Sequence, residues 1–371
     1  MNELFDALVT ILVFIVVLGG MVLLHELGHF LAARLAGVRV LEFGVGFPPR
    51  AKVLGNRGDT VYTLNWLPIG GFVKLEGEDG DQDGDPRSFT RARLPAKLGI
   101  LVAGALMNLV LAFGIFTAIA WVATPYVGLK FGAVEPGSPA AAAGIQPTDA
   151  IISVDGQAFE FYGESSIQAL REHAGQQVTI GLIRADGTRA EVTTTLRSPA
   201  DVSAGKGALG IQAGSRGFES LFYGEYTGRP LPDAVGIGAS ETKRWFGLIL
   251  AGLGDLARSI VANPTAAPPA SGPVGIATSL GEVFRGSGPV LTLYVAGIIS
   301  ANLALMNVLP FPPLDGGRML VILLKAVPRY GARISVRAEQ LTYAIGMLAV
   351  FAFLIWITVF DIVRQVTGSA P

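Results

Sequence analysis

Residues 7–29 read ALVTILVFIVVLGGMVLLHELGH: an uncharged apolar run, Ala7 to Leu24, passes directly into His25-Glu26-Leu27-Gly28-His29. A run of that length is sufficient for a helix to cross a hydrocarbon core. Ionisable side chains at membrane depth are costly and mark function by default. Histidines four apart fall on one helical face, roughly 40° from each other about the axis. Both imidazoles can therefore reach one cation, with Glu26 beside them as a general base, which is the logic of the HExxH zinc motif. The stretch predicts a metal site built into a membrane helix.

Composition agrees. Of 371 residues, 51% are hydrophobic and 15% are charged, and the mean hydropathy is +0.51, too apolar for an ordinary soluble protein of this length. A net charge of −1, with no basic cluster interleaved with aromatics, excludes nucleic acid as a partner. Cysteine is absent, which removes disulfides and thiolate ligands, so a zinc ion must take nitrogen and oxygen ligands. The chain has three histidines, and the motif uses two of them. Residues 1–6 carry Glu3 and Asp6 but no Lys or Arg, so the first segment reads as a retained span rather than a cleaved signal peptide.

Four stretches are long and apolar enough to span: about 7–35, 98–123, 288–310 and 340–360. Arg34, Arg39, Arg50, Lys52, Arg57, Lys74, Arg91, Arg93 and Lys97 lie between the first two, and Arg318, Lys325, Arg329, Arg333 and Arg337 between the last two. The excess of Lys and Arg places both connections on the cytoplasmic side and residues 125–285 outside. Asp233 to about Asn263 reads as an amphipathic helix lying at the outer membrane surface, because its uncharged part, Trp245 to Gly254, is too short to cross.

Residues 127–197 have the pattern of a small α/β domain. Strands are expected over Phe131–Val134, Ala150–Val154, Val178–Leu182 and Ala190–Leu196, with short helices over Ala140–Ala143 and Ser165–His173 and an Asp186-Gly187 hairpin turn. With Val134-Glu135-Pro136-Gly137-Ser138-Pro139-Ala140 and Ala143-Gly144-Ile145 before Asp149, this order resembles a PDZ domain of the bacterial protease-associated kind. Such domains add an extended peptide to a sheet edge. Val38 to Lys74 has the look of short strands, with Ala51–Leu54 and Thr60–Asn65 flanking Gly55-Asn56-Arg57-Gly58-Asp59 and Leu67–Val73 following. Placed beside the metal, such a hairpin would offer an edge to an extended substrate. The acidic run Glu76 to Asp85 begins like a calcium loop but has Thr90 where the bidentate Glu belongs, so it reads as a solvated loop.

The third ligand decides how far HExxH can be pressed. Asp315, in Asn307-Val308-Leu309-Pro310-Phe311-Pro312-Pro313-Leu314-Asp315-Gly316-Gly317, ends the third span and would complete a His-His-Asp set that leaves one tetrahedral position for water. Topology tests this independently. Span one reaches its histidines running inward, and span three reaches Asp315 after running inward, provided an odd number of crossings lies between; residues 98–123 supply one. The competing reading makes His25 and His29 hydrogen-bonded bundle residues and Asp315 a helix cap. Asn108, inside span two, suits either packing or the site, and Asn307 has the same standing. Pro310, Pro312 and Pro313 break the third helix near the site, which membrane depth tolerates only against protein or a water-filled cavity. His173 reads as an exposed helix residue.

The motifs His25-Glu26-Leu27-Gly28-His29, Asn108, the PDZ-like insert and Asn307 through Asp315-Gly316-Gly317 together resemble the site-2 protease family of intramembrane zinc metalloproteases, over nearly the whole chain. The resemblance implies His25, His29 and Asp315 as zinc ligands, Glu26 as catalytic acid and base, and Asn108 and Asn307 as supporting residues near the scissile bond. It also implies a bacterial inner-membrane enzyme acting on single-span membrane proteins, such as anti-sigma factors already cut by another protease, or on remnant signal peptides. Two features depart from the family's pattern: one PDZ-like unit is evident where some relatives carry two, and Ala105 stands where proline often precedes the Asn.

The expected fold is a polytopic α-helical membrane protein of about four spans, with an inserted extracytoplasmic PDZ-like α/β domain and a cytoplasmic-side β-hairpin region. The expected segments are 1–37 (first span with HExxH), 38–97 (membrane-associated hairpin), 98–124 (second span), 125–200 (PDZ-like), 201–287 (linker with the interfacial helix), 288–317 (third span), 318–338 (cytoplasmic loop) and 339–371 (fourth span and tail). A non-proteolytic membrane scaffold with a structural metal is the alternative, against which an intact Glu26 argues. A transporter would show two related halves, and no internal repeat is present.

Overall fold

The computed structural model describes residues 3–78, 84–215, 217–263, 268, 270–331 and 335–367. In chain order these form α1 (Glu3–Leu35), β1 (Val40–Arg57), β2 (Thr60–Leu75) and α2 (Leu94–Val122). Then come β3 (Thr124–Lys130), β4 (Ala133–Val134), α3 (Pro139–Ala142), β5 (Ala150–Val154), β6 (Gln157–Ala158), α4 (Ser166–Glu172), β7 (Gln177–Ile183) and β8 (Arg189–Thr195). The remainder is α5 (Pro199–Ser203), β9 (Ile211–Gln212), β10 (Glu219–Thr227), α6 (Leu231–Ala262), α7 (Pro273–Val308), α8 (Asp315–Ala326), α9 (Pro328–Gly331) and α10 (Val336–Thr367). Two units result, Met1–Phe116 with Gly238–Pro371, and Thr117–Ile237.

In the second unit the antiparallel order is β10-β3-β5-β7-β8, with β6 on β5 and a separate β4–β9 pair. Val178, Ile180 and Leu182 alternate along β7 and pack inward with Ile151, Val154, Leu170 and Leu209. Each fully buried side chain of this kind contributes about 1.5–3 kcal/mol. Gly187 takes a left-handed φ of 83° in the β7–β8 turn, as an Asp-Gly turn requires. Residues 201–230 depart from the expected linker. They supply β9 and β10, and β10 pairs with β3 from Glu219↔Lys130 to Thr227↔Thr124. No local periodicity announces a strand whose partner lies some ninety residues back.

In the first unit the expected short strands merge into two long ones. Phe43 lies opposite both Tyr62 and Val73, while Val53 and Asn56 lie opposite Thr63 and Val61. The hairpin is therefore folded on itself in the order 50–57, 60–65, 40–47, 71–75, and residues 71–75 form an edge. Phe47, Val53, Leu64, Trp66 and Leu67 are exposed along it. The acidic run also differs from a solvated loop. Glu76 and Asp85 pair with Arg39, and Glu78 pairs with Arg318; Asp79, Asp81 and Asp83 lie outside the described residues.

Five helices among the described residues are long and apolar enough to cross a membrane: α1, α2, α6, α7 and α10. This exceeds the expected four because α6 continues well beyond its uncharged centre. Helix α7 also begins earlier than the expected third span. It breaks at Gly288 (φ 80°), just before Pro289, which cannot continue the amide ladder. The part after the break, 289–308, is long enough to rise roughly 30 Å.

Packing fixes the direction of each part. Before the break, Gly281 rests on Thr10, and Arg285 reaches Thr10 Oγ1 (2.7 Å) and the Asp6 carbonyl (3.2 Å), so this half climbs toward the start of α1. After it, Tyr294 stacks on Phe116 and Ser300 donates to the Asn108 carbonyl at 2.8 Å, so the chain runs back antiparallel to α2 and parallel to α1. At the start of α7, Asp361 of α10 accepts from the Gly272 (3.2 Å) and Gly275 (2.8 Å) amides, which would otherwise lack partners.

Candidate metal centre

The site forms where α1, α2, β2 and the start of α8 meet. One turn of α1 carries His25 and His29, and Asp315 opens α8 after the Pro-rich break. His25 Nε2 lies 3.1 Å and His29 Nε2 3.2 Å from Asp315 Oδ2, and the two imidazole nitrogens are 3.1 Å apart. Ligand atoms around a tetrahedral zinc with bonds near 2.0–2.1 Å stand about 3.3 Å from each other. The three donors thus already have the spacing of one face of that polyhedron. Two imidazole nitrogens and a carboxylate oxygen converging in a buried space need a proton or a metal cation between them, and their identity and spacing fit a divalent ion.

The tautomers point the same way. His29 Nδ1 donates to the Ile100 carbonyl at 2.8 Å, which leaves the Nε2 lone pair facing the cluster. On His25 the corresponding nitrogen, Nδ1, lies 3.3 Å from Asn108 Nδ2, while the buried Asn108 Oδ1 has no partner among the described residues. Rotating the amide by half a turn lets Oδ1 accept from His25 Nδ1–H and satisfies both groups. Each imidazole is then oriented from behind by a carbonyl oxygen, the usual outer support of a metal-binding histidine.

Among the residues expected near the scissile bond, Asn307 lines the cavity and Asn108 does not. Asn108 is 1% exposed and stands behind His25, where it would support the site through that imidazole. His173 donates to the Ala169 carbonyl at 2.8 Å on α4, a purely local bond.

Helix α2 approaches with glycine. A Cβ on Gly28 would lie 2.4 Å from the Ala103 carbonyl oxygen, and one on Gly104 would lie 2.4 Å from His29 Nε2 and 2.7 Å from His25 Nε2. Close approach of spans through small residues is what lets α2 wall the site. Glu26 faces β2, where its Oε2 accepts from the Val73 amide at 3.1 Å. These groups open on a cavity of about 290 Å³ lined also by Gly71, Phe72, Leu75, Glu78 and Arg318. Sequence reasoning missed Gly104, Val73, Glu78 and Arg318. Only Gly104 carried a signal, the small run Ala103-Gly104-Ala105 within a span.

A helix-borne HExxH whose histidines converge with a distant aspartate, inside a bundle of membrane-length helices, defines a membrane metalloprotease. The sequence profile of Peptidase family M50 matches residues 13–353, and the chain belongs to that family. It is 27% identical to the zinc metalloprotease RasP of Geobacillus kaustophilus, covering 96% of this chain and 98% of that one. It is 30% identical to ARASP2 of Arabidopsis thaliana, named a probable chloroplastic membrane metalloprotease, covering 96% and 80%. A Clostridium acetobutylicum protein named as a candidate zinc metalloprotease is 30% identical over 98% of both chains. The protein is accordingly a multi-pass membrane enzyme, a metalloprotease whose cofactor is Zn2+.

Proposed function

We propose that the chain is an intramembrane endopeptidase that hydrolyses a peptide bond within or near the transmembrane segment of single-span membrane proteins, among them regulators already trimmed by another protease and signal-peptide remnants. The observation that carries the reading is the convergence of His25, His29 and Asp315 to 3.1–3.2 Å beside Glu26, among helices of membrane-spanning length. His25, His29 and Asp315 would hold the metal. Zinc bound there supplies Lewis acidity, polarising a carbonyl oxygen and making water a better nucleophile. Glu26 takes the proton of the attacking water and delivers it to the departing amine nitrogen. Asn307, on the cavity wall, is placed to hold the scissile segment, and Asn108 keeps His25 in its ligating tautomer. A helical substrate hides its carbonyls in i to i−4 bonds, so it must unwind to react. The 71–75 edge then offers the unwound segment a strand to pair with.

Four crossings, with α6 lying at the outer surface, suit the packing. Glu241 and Trp245 of α6 bond to Tyr294, six residues past the break in α7. Just beyond α6, the Ala270 and Pro268 carbonyls accept from Arg364, near the end of α10. Both contacts belong to the end of the bundle away from Asp315. The exposed apolar side chains of the hairpin suit a location dipping into lipid from the cytoplasmic side of an inner membrane. The 117–237 unit, read as extracytoplasmic and PDZ-like, would receive or screen the substrate's external part.

The test uses the purified enzyme in liposomes with a tagged single-span substrate. Wild type is expected to cut inside the membrane segment, while Glu26→Gln retains zinc and loses at least about a thousandfold in rate. Turnover by that variant near the wild-type rate refutes the assignment.

A further inference from the structure

The 71–75 edge is held at two points, and only one hold belongs to the machinery described above. At the first the Val73 amide donates to Glu26. At the second the Leu75 amide donates to Glu78 Oε2 at 3.2 Å, and the same carboxylate accepts from Arg318 Nη1 at 2.6 Å through Oε1. Val73 and Leu75 are two apart, so both amides leave the strand on its outward edge. Arg318 lies one turn beyond Asp315 on α8, with its backbone amide bonded to the Leu314 carbonyl at 3.1 Å. Its side chain and that of Glu78 keep 27% and 20% exposure.

Arg318 is the one Lys or Arg among the described residues lining this cavity, whose wall also carries the carboxylates of Glu26, Glu78 and Asp315, and it pairs with Glu78. A partly desolvated, charge-assisted pair of this kind is shorter and stronger than a surface one. It spans 240 residues of sequence and bridges the helix that presents Asp315 to the strand that lies along the site.

We propose that Arg318 and Glu78 form a positioning clamp that fixes the substrate-binding edge 71–75 relative to Asp315, and so sets where a bound carbonyl falls against the reacting centre. The inference rests on the proteolytic reading of the site. It assigns neither residue to the chemistry: Arg318 acts through Glu78, and Glu78 acts through the Leu75 amide. Misplacing a substrate by about 1 Å can cost on the order of a hundredfold in rate while leaving binding largely intact. The clamp should therefore show in kcat rather than in KM or in metal content.

Full-length enzyme in liposomes, cleaving a single-span substrate, tests this through Arg318→Met, Glu78→Gln and their combination. Each single variant is expected to lose about ten- to a hundredfold in kcat, with KM within about threefold and zinc per chain unchanged. The double variant should be no worse than the poorer single one, because both remove the same contact. Arg318→Lys, which retains the charge, should recover part of the rate. Glu78→Gln, nearly isosteric, serves should Arg318→Met fail to fold. The clamp is overturned by a kcat within twofold of wild type, by losses that multiply in the double variant, or by zinc lost in step with activity. Failure of the underlying reading would look different, since Glu26→Gln would then cleave like wild type.

Discussion

Gly104→Ala is the sharpest perturbation available, because it adds one methyl group and nothing else. That carbon would lie 2.4 Å from His29 Nε2, 2.6 Å from His25 Cε1 and 2.7 Å from His25 Nε2. Ordinary contact begins near 3.5 Å, so the imidazoles must retreat by roughly 1 Å, or α2 must move away by as much. Metal ligands tolerate displacements of only about 0.2 Å. Loss of an outer support alone lowers metal affinity about 10–100-fold. Displacing both histidines should reach at least the upper end of that range, about 2.8 kcal/mol. The fold itself should lose only the 1–3 kcal/mol or so typical of overpacking.

The assay is zinc per chain by mass spectrometry after equilibration in graded zinc buffers, followed by cleavage of the reporter substrate. Gly99→Ala and Gly114→Ala are the controls: both sit on α2, and an added Cβ meets nothing within 4 Å. They should match wild type in zinc and rate. A Gly104→Ala enzyme with wild-type zinc affinity and turnover would refute the claim that α2 walls the metal site through this glycine.

Three further expectations follow from contacts already described or adjacent to them. Asn108→Ala should lower zinc affinity about 10–100-fold, while Asn108→Asp, which retains an acceptor for His25 Nδ1–H, should stay close to wild type in chelator competition. Val73→Pro removes the amide held by Glu26 and should depress cleavage without changing zinc content, measured by single-turnover kinetics. In the 117–237 unit Asp149 is 2% exposed and accepts from Arg184 at 2.6 Å and the Gln146 amide at 2.8 Å, so Asp149→Ala should destabilise that unit by about 3–5 kcal/mol, seen as faster limited proteolysis there.

What the sequence made legible was whatever obeys a short period or a fixed spacing. The His25 and His29 pair is a statement about one helical turn, and Asp315 followed from the chemistry of a missing ligand combined with the parity of crossings. The alternation of Val178, Ile180 and Leu182 told the strand from a helix. Contacts made across the fold left no such mark. Glu78 looked like one more acid in a solvated run because its partner, Arg318, lies 240 residues away. Strand β10 was hidden for the same reason, and α6 satisfies by length what its uncharged centre does not. Asn108 was visible as a polar side chain in a span, but whether it faced substrate or the back of an imidazole depended on the rotation of α2.

The carboxylate that caps α7 belongs to the last helix of the chain, 86 residues after the Gly275 amide it receives. At typical synthesis rates the ribosome needs about 4–17 seconds to make that interval. Through it the Gly275 amide lacks the carboxylate that will receive it, and His25, His29 and Asp315 are all made before it ends. The enzyme therefore acquires its chemical groups before it acquires the fold that holds them still. A polypeptide ending short of Asp361 would carry the residues proposed for the chemistry but lack the carboxylate that receives the first amides of α7.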